Sequence, residues 1–173
     1  ILHRGADKVA LNTAVIARPE LISEVASRFG SSTIVVSIEA IRQPHGGYEC
    51  YTDNGRVPTG LDATDWARRA EALGAGEILV TSIDREGTGK GYDIELIRQI
   101  ADLVSIPVIA CGGAGQLRHI KDVIREGHAD AVVAASVLHY RAIGELEHRQ
   151  HDFLRSLRAG RPEHPERGPR SLR

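Results

Sequence analysis

Alternating strand and helix signals predict an α/β fold: a partial (β/α)8 barrel of the TIM-barrel family, built from about five parallel βα units. Three observations carry the prediction. Apolar runs rich in Val, Ile, Leu and Ala recur along the chain, helical patterns separate them, and small or polar residues gather at the C-terminal end of each run.

The runs are "KVALN" (8–12), "TIVVSIEA" (33–40), "EILVTSI" (77–83), "PVIACG" (107–112) and "AVVAAS" (131–136). Near-continuous apolar strands of this kind are expected in parallel sheets covered on both faces. Between them, residues 19–29 open on Pro19, which suits a first helical turn, and stop near Gly30. In "LDATDWARRAEALG" Asp62 is the expected N-cap, Trp66, Ala67, Ala70 and Leu73 form one face, and Gly74 supplies the stop. Asp93 is placed to cap a helix carrying Ile97, Ile100, Ala101 and Val104, and residues 116–126 repeat the pattern with Leu117, Ile120, Val123 and Ile124. "GADKVALNT", "GAGEILVTS" and "GHADAVVAAS" form a weak repeat of helix stop, turn and strand. The longer stretch 43–60 fits an excursion with "YECYT" as a strand and "DNGR" as a turn. An open doubly wound sheet and a barrel both fit, and both put the site beyond the strand C-termini. Five βα units are too few for a whole barrel and make the larger part of one. The barrel domain is expected over 1–159, followed by a disordered tail over 160–173, which is rich in Pro, Arg and Glu.

At 173 residues, 42% hydrophobic and 26% charged, the chain has the material for one globular core. A net charge of −1 gives no electrostatic reason for nucleic acid or an anionic membrane, and no apolar run approaches the ~20 residues of a membrane span. Cys50 and Cys111 lie far apart in unlike settings, which suggests neither a disulfide framework nor a metal pair and fits a cytoplasmic, reducing compartment. His139, His148 and His151 are read as solvated rather than metal-binding, and no cofactor is expected. The chain starts at Ile1 and contains no methionine, so it reads as a piece of a longer protein.

The strand ends carry the chemistry. They present Asn12 and Thr13, then Glu39, then Thr81, Asp84, Glu86, Gly87 and Thr88, then Gly112, Gly113 and Gly115, and finally Ala135 and Ser136. "CGGAG" precedes a helix, so its backbone N–H groups can approach a phosphate, with "AAS" adding further N–H groups and a hydroxyl. The bland alternative is a tight turn chosen for packing. Glu39 reads either as a general acid or base or as a rim carboxylate paired with Arg42. Glu86 binds ligand or else holds its own loop, for instance through Lys90. At the opposite strand ends Lys8 and Glu77 are placed to pair across a barrel floor.

"GADKVALNTA", "GAGEILVTSIDREGTGKGYDIELI", "IPVIACGGAG" and "ADAVVAASVLH", roughly residues 5–140, resemble the cyclase subunit of imidazole glycerol phosphate synthase, of histidine biosynthesis. The isomerase family acting one step earlier shares the barrel and fits these motifs less well. The resemblance implies a bis-phosphorylated ribonucleotide substrate, ammonia delivered through the barrel floor by a glutaminase partner, and two carboxylates serving as acid and base. Glu39 stands where the family usually has Asp, and Glu86 at another position usually held by Asp. Asn12 and Thr13 match one phosphate site, and Gly87, Gly113, Ala135 and Ser136 the other, with Thr81, Thr88 and Gly112 beside them. Lys8 and Glu77 match the charges at the ammonia gate. The family's first three βα units, with the second carboxylate, precede the matching stretch. The expectation is therefore an inactive fragment that self-associates through its strand edges. Two other readings stay open: a related ammonia-using subunit of surface-polysaccharide sugar biosynthesis, and a phosphate-binding barrel piece without catalysis.

Overall fold

The structure, a computed structural model, describes residues 2–135. Ser136, the histidines at 139, 148 and 151 and the tail over 160–173 lie outside the described residues.

A seven-stranded sheet organises the chain, with strands β1 (Val9–Leu11), β2 (Ile34–Arg42), β3 (Tyr48–Thr52), β4 (Val57–Asp62), β5 (Glu77–Ser82), β6 (Val108–Cys111) and β7 (Ala131–Val132). β1, β2, β5, β6 and β7 are parallel neighbours in that order, which is the frame of a partial TIM barrel. β2 is the hinge of the topology. One edge pairs along its length with β5, while the other pairs first with β1 and then, from Glu39 to Arg42, with antiparallel β3. The excursion over 43–60 is thus a β3–β4 hairpin appended to the upper half of β2. Asp53, Asn54 and Gly55 turn it with positive φ, conformations that Asn, Asp and Gly tolerate.

Side chains alternate across this sheet, and the two faces fare differently. Ile34, Val36, Ile38 and Ala40 of β2, Ile78 and Val80 of β5, and Val108 and Ala110 of β6 are fully buried under the helices. Those helices are α2 (Glu20–Phe29), α3 (Ala63–Ala72), α4 (Ile94–Ala101) and α5 (Leu117–Arg125); a short α1 (Thr13–Ala17) follows β1. Trp66, Ala67 and Ala70 of α3 and Leu96, Ile97 and Ile100 of α4 supply the matching apolar stripes. Both expected caps form. Asp62 accepts from the Thr64 and Asp65 N–H groups at 2.8 and 3.1 Å, and Asp93 from the Leu96 N–H at 3.2 Å.

The other face does not match the expectation of cover on both sides. Ala10 and Ala131 are exposed and Ser37, Leu79 and Ile109 only half-buried among the described residues. The apolar character of Val35, Leu79 and Ile109 is that of a barrel interior rather than of a second helical interface. No helix among the described residues is long and apolar enough to cross a membrane.

Candidate functional site

Glu39 lies near the top of β2 on the open face, in register with Tyr51 of β3 on one side and Thr81 of β5 on the other. Thr81 is in turn level with Cys111 of β6. The side chains of Glu39, Thr81 and Cys111 therefore form a row across three parallel strand ends. Glu39 Oε2 is buried without a hydrogen-bond partner. Arg42, the partner a rim carboxylate would need, turns away to Glu95 and to the Tyr48 hydroxyl at 2.5 Å. A buried, unpaired carboxylate oxygen costs free energy on the order of 1–3 kcal/mol or more, so an arriving donor is welcome there.

Asn12 reaches the same neighbourhood. Its Nδ2 donates to the Tyr51 carbonyl at 3.2 Å, and its Oδ1 is a second buried acceptor without a partner. Thr13 Oγ1 accepts from the Asp53 N–H at 3.4 Å, which leaves the hydroxyl proton free to donate. The β3–β4 hairpin is latched to the β1–α1 corner by these two contacts.

The loop after β5 approaches the end of β6, with Glu86 N 3.5 Å from where a Cβ on Gly112 would sit. Glu86 is exposed and takes no side-chain partner among the described residues; the Lys90 N–H donates instead to Thr88 Oγ1 at 3.2 Å. Thr88 also donates to the Arg85 carbonyl at 2.7 Å, so its hydroxyl shapes the turn and is not free for a ligand. Burial raises the Cys111 thiol pKa, and the carboxylates of Glu86 and Glu39 act in the same direction. A hydrogen bond with Thr81 acts in the opposite sense. Cys111 was not among the sequence-stated candidates, although its position at the end of "PVIAC" carried the signal.

The glycines divide into two kinds. Gly91 N–H donates to Gly113 O at 2.8 Å, and an added Cβ would sit 2.2 Å from the Gly91 oxygen at Gly113, 2.8 Å from the Ser82 oxygen at Gly112 and 2.1 Å from the Gly89 oxygen at Gly115. These residues are glycine because two loops and a strand end approach each other closely. Their close packing accounts for glycine at these three positions through the tight-turn alternative stated above. Gly87 is different: its φ is +71 and nothing lies within 4 Å of an added Cβ, so its backbone faces open space. Neither the Gly87 nor the Gly113 N–H has a backbone partner among the described residues. Ala135 is exposed, and Tyr92 ties this rim together by donating to the Val133 carbonyl at 2.9 Å.

At the other end of the open face Lys8 Nζ donates to Glu77 Oε1. Glu77 is level with Val35 and shares the face of Thr81, four residues on. At ~3.3 Å per residue the ion pair lies about 13 Å along the strand from the Glu39–Thr81 row. No group of three or more metal-ligating side chains occurs among the described residues.

Glu39, Thr81 and Cys111 thus line three adjacent strand ends, the loops carrying Gly87 and Gly113 follow two of those strands, and the Lys8–Glu77 pair lies at the opposite strand ends. The family model described as histidine biosynthesis protein matches residues 1–144 of this architecture, and the chain belongs to that family of histidine-biosynthesis barrel enzymes.

Proposed function

We propose that the chain is the cyclase part of imidazole glycerol phosphate synthase. In this reading ammonia from a glutaminase partner enters past Lys8 and Glu77 and moves along the open face toward Glu39. It attacks a ribonucleotide carrying a phosphate at each end, which is cleaved and cyclised to imidazole glycerol phosphate and an aminoimidazole carboxamide ribotide. Asn12 and Thr13 take one phosphate. The N–H groups of Gly87 and Gly113, with Ala135 and Ser136, take the other. Glu39 moves the proton, and Glu86 orients the polar groups of the substrate.

The observation that supports this reading most is the orphan Glu39 Oε2, buried at a strand end and level with Thr81. A structural carboxylate at this position would be paired, and Arg42 is close in sequence but engaged elsewhere. The Lys8–Glu77 pair on the same face gives the second support, because a charged pair closing one end of a barrel interior is a natural gate for a small polar molecule.

The test is ammonium-dependent consumption of the bis-phosphorylated ribonucleotide. It is run with the chain alone and with a polypeptide supplying the three N-terminal βα units of such a barrel. Turnover that needs ammonium and disappears in Glu39→Gln is the expected result. Turnover without ammonium points to an isomerase, preference for a sugar substrate points to the polysaccharide-type subunit, and turnover insensitive to Glu39→Gln overturns the reading.

A further inference from the structure

A concavity lies against the 83–91 loop, on the helix-covered side of β2. Its volume is about 580 Å3, and Arg42, Gln43, Asp84, Arg85, Lys90 and Asp93 line it. Strand alternation separates it from Glu39. Arg42 and Ser82 belong to the helix-covered face with Ala40, and the Arg42 N–H donates to Asp84 Oδ2 at 2.9 Å on that side. Asp93 joins the same side through the Tyr48 hydroxyl at 2.9 Å.

The lining charges are not equally available. The Arg42 guanidinium is engaged by Glu95 and Tyr48. Asp93 accepts from Tyr48 and from the Leu96 N–H. Asp84 uses Oδ2 on the Arg42 N–H and keeps Oδ1 free. Gln43 uses Nε2 on the Ile41 carbonyl at 3.4 Å and keeps its carbonyl oxygen. Arg85 and Lys90 have no side-chain partner among the described residues. Two unpaired cations beside two free acceptors describe a ligand with one compact anionic group and neighbouring hydroxyls. A phosphate ion alone fills only a small part of such a volume. Asp84 and Asp93 oppose a polyphosphate.

We propose that this concavity binds a small phosphorylated polyol, with its phosphate on Arg85 and Lys90 and its hydroxyls on Asp84 Oδ1 and Gln43. Arg fits a phosphate in bidentate fashion and Lys adds a point charge, so the pair gives both orientation and attraction. The site shares the 83–91 loop with the strand-end mouth, and Arg85 packs beside Gly113, but its ligand groups are other side chains, so its occupancy does not require the reaction assigned to the mouth.

The experiment is an amide-resolved NMR titration of the full chain with ribose 5-phosphate, with ribose and inorganic phosphate as separate probes. Ribose 5-phosphate is expected to shift the Gln43, Arg85 and Lys90 amides saturably, ribose not at all, and inorganic phosphate only at higher concentration. Arg85→Gln/Lys90→Gln weakens binding at these amides at least tenfold while any shifts at Thr13 and Gly113 persist. Lys90→Gln alone replaces an exposed side chain, keeps the fold, and weakens binding at least threefold. Shifts confined to Thr13, Gly87 and Gly113 overturn the outer site and leave the mouth reading standing. Equal affinity for phosphate and its ester overturns the polyol assignment, and a double variant that binds as tightly as the parent overturns the site altogether.

Discussion

The Gly91 N–H donates to the Gly113 carbonyl at 2.8 Å, so the loops following β5 and β6 are stitched backbone to backbone at the rim. A Cβ at Gly113 would lie 2.2 Å from the Gly91 oxygen, whereas one at Gly87 would meet nothing within 4 Å. Both residues have positive φ. Gly113→Ala therefore carries a backbone clash as well as the left-handed penalty and should cost about 3 kcal/mol or more. Gly87→Ala carries the left-handed penalty alone, about 1–2 kcal/mol. Urea unfolding of the two variants checks the ordering; equal losses would remove the loop-to-loop contact as the reason for Gly113.

If Glu39 works on a substrate, its removal should harm catalysis and spare stability. Glu39→Gln keeps the shape and replaces a buried carboxylate whose Oε2 has no partner. Unfolding free energy is expected to stay within about 1 kcal/mol of the parent. The ammonium-dependent rate should fall by about a hundredfold or more, the usual weight of a positioned acid or base. A variant that loses stability and keeps its rate would mark Glu39 as structural.

The parallel strands were legible because each carries a near-continuous apolar run, and the capped helices because Asp62 and Asp93 stand immediately before an amphipathic pattern. β4 was not legible. "VPTGLD" contains Pro58 and Gly60, both unfavourable in a strand, and it is a strand because β3 offers it an edge. The five-residue α1 is too short to show a period. Glu39, Asn12 and Gly87 could be picked out because strand C-termini are where barrels place function. The outer concavity could not, since Arg42, Arg85 and Lys90 come together only through the register of β2 with β5 and the fold of the 83–91 loop.

The Asp62 cap makes a pH-dependent contribution. Burial pushes its carboxyl upward, but hydrogen bonds from Thr64 and Asp65 outweigh that and leave the pKa lowered. A lowered folded-state pKa gives stability that is present above the unfolded value and is lost as pH falls through the folded one. Asp62→Ala should cost about 1 kcal/mol at neutral pH, and the gap to the parent should close in acid. Thermal unfolding at pH 7 and pH 3 measures it; a gap that persists unchanged at pH 3 would sink the cap assignment.

Lys8 and Glu77 form an ion pair in which the lysine is 46% exposed, so its loss should matter little to stability, below about 1 kcal/mol. Its proposed task is passage of ammonia. Lys8→Ala is expected to lower glutamine-driven turnover with the partner present more than it lowers turnover on added ammonium. Equal effects on both would place the pair outside the ammonia route.

Cys111 provides a chemical probe of whether Glu39 and Glu86 converge. Burial and the two carboxylates all hold its thiol pKa above the ordinary value of 9.0. The thiolate is the nucleophile, so alkylation of Cys111 at pH 8 should be slow. Cys50, fully buried and pushed up to about 12 by that burial, should be slower still. Replacing the carboxylates by neutral isosteres removes their opposition to a negative sulfur. Glu39→Gln and Glu86→Gln should each lower the apparent thiol pKa and speed labelling of Cys111, and the double variant should do so most. Labelling of Cys50 should not change, which separates an electrostatic effect from general loosening of the fold. If Cys111 reacts at one rate in all four proteins, the two carboxylates do not share its surroundings, and the mouth loses the charge arrangement on which its acid–base role depends.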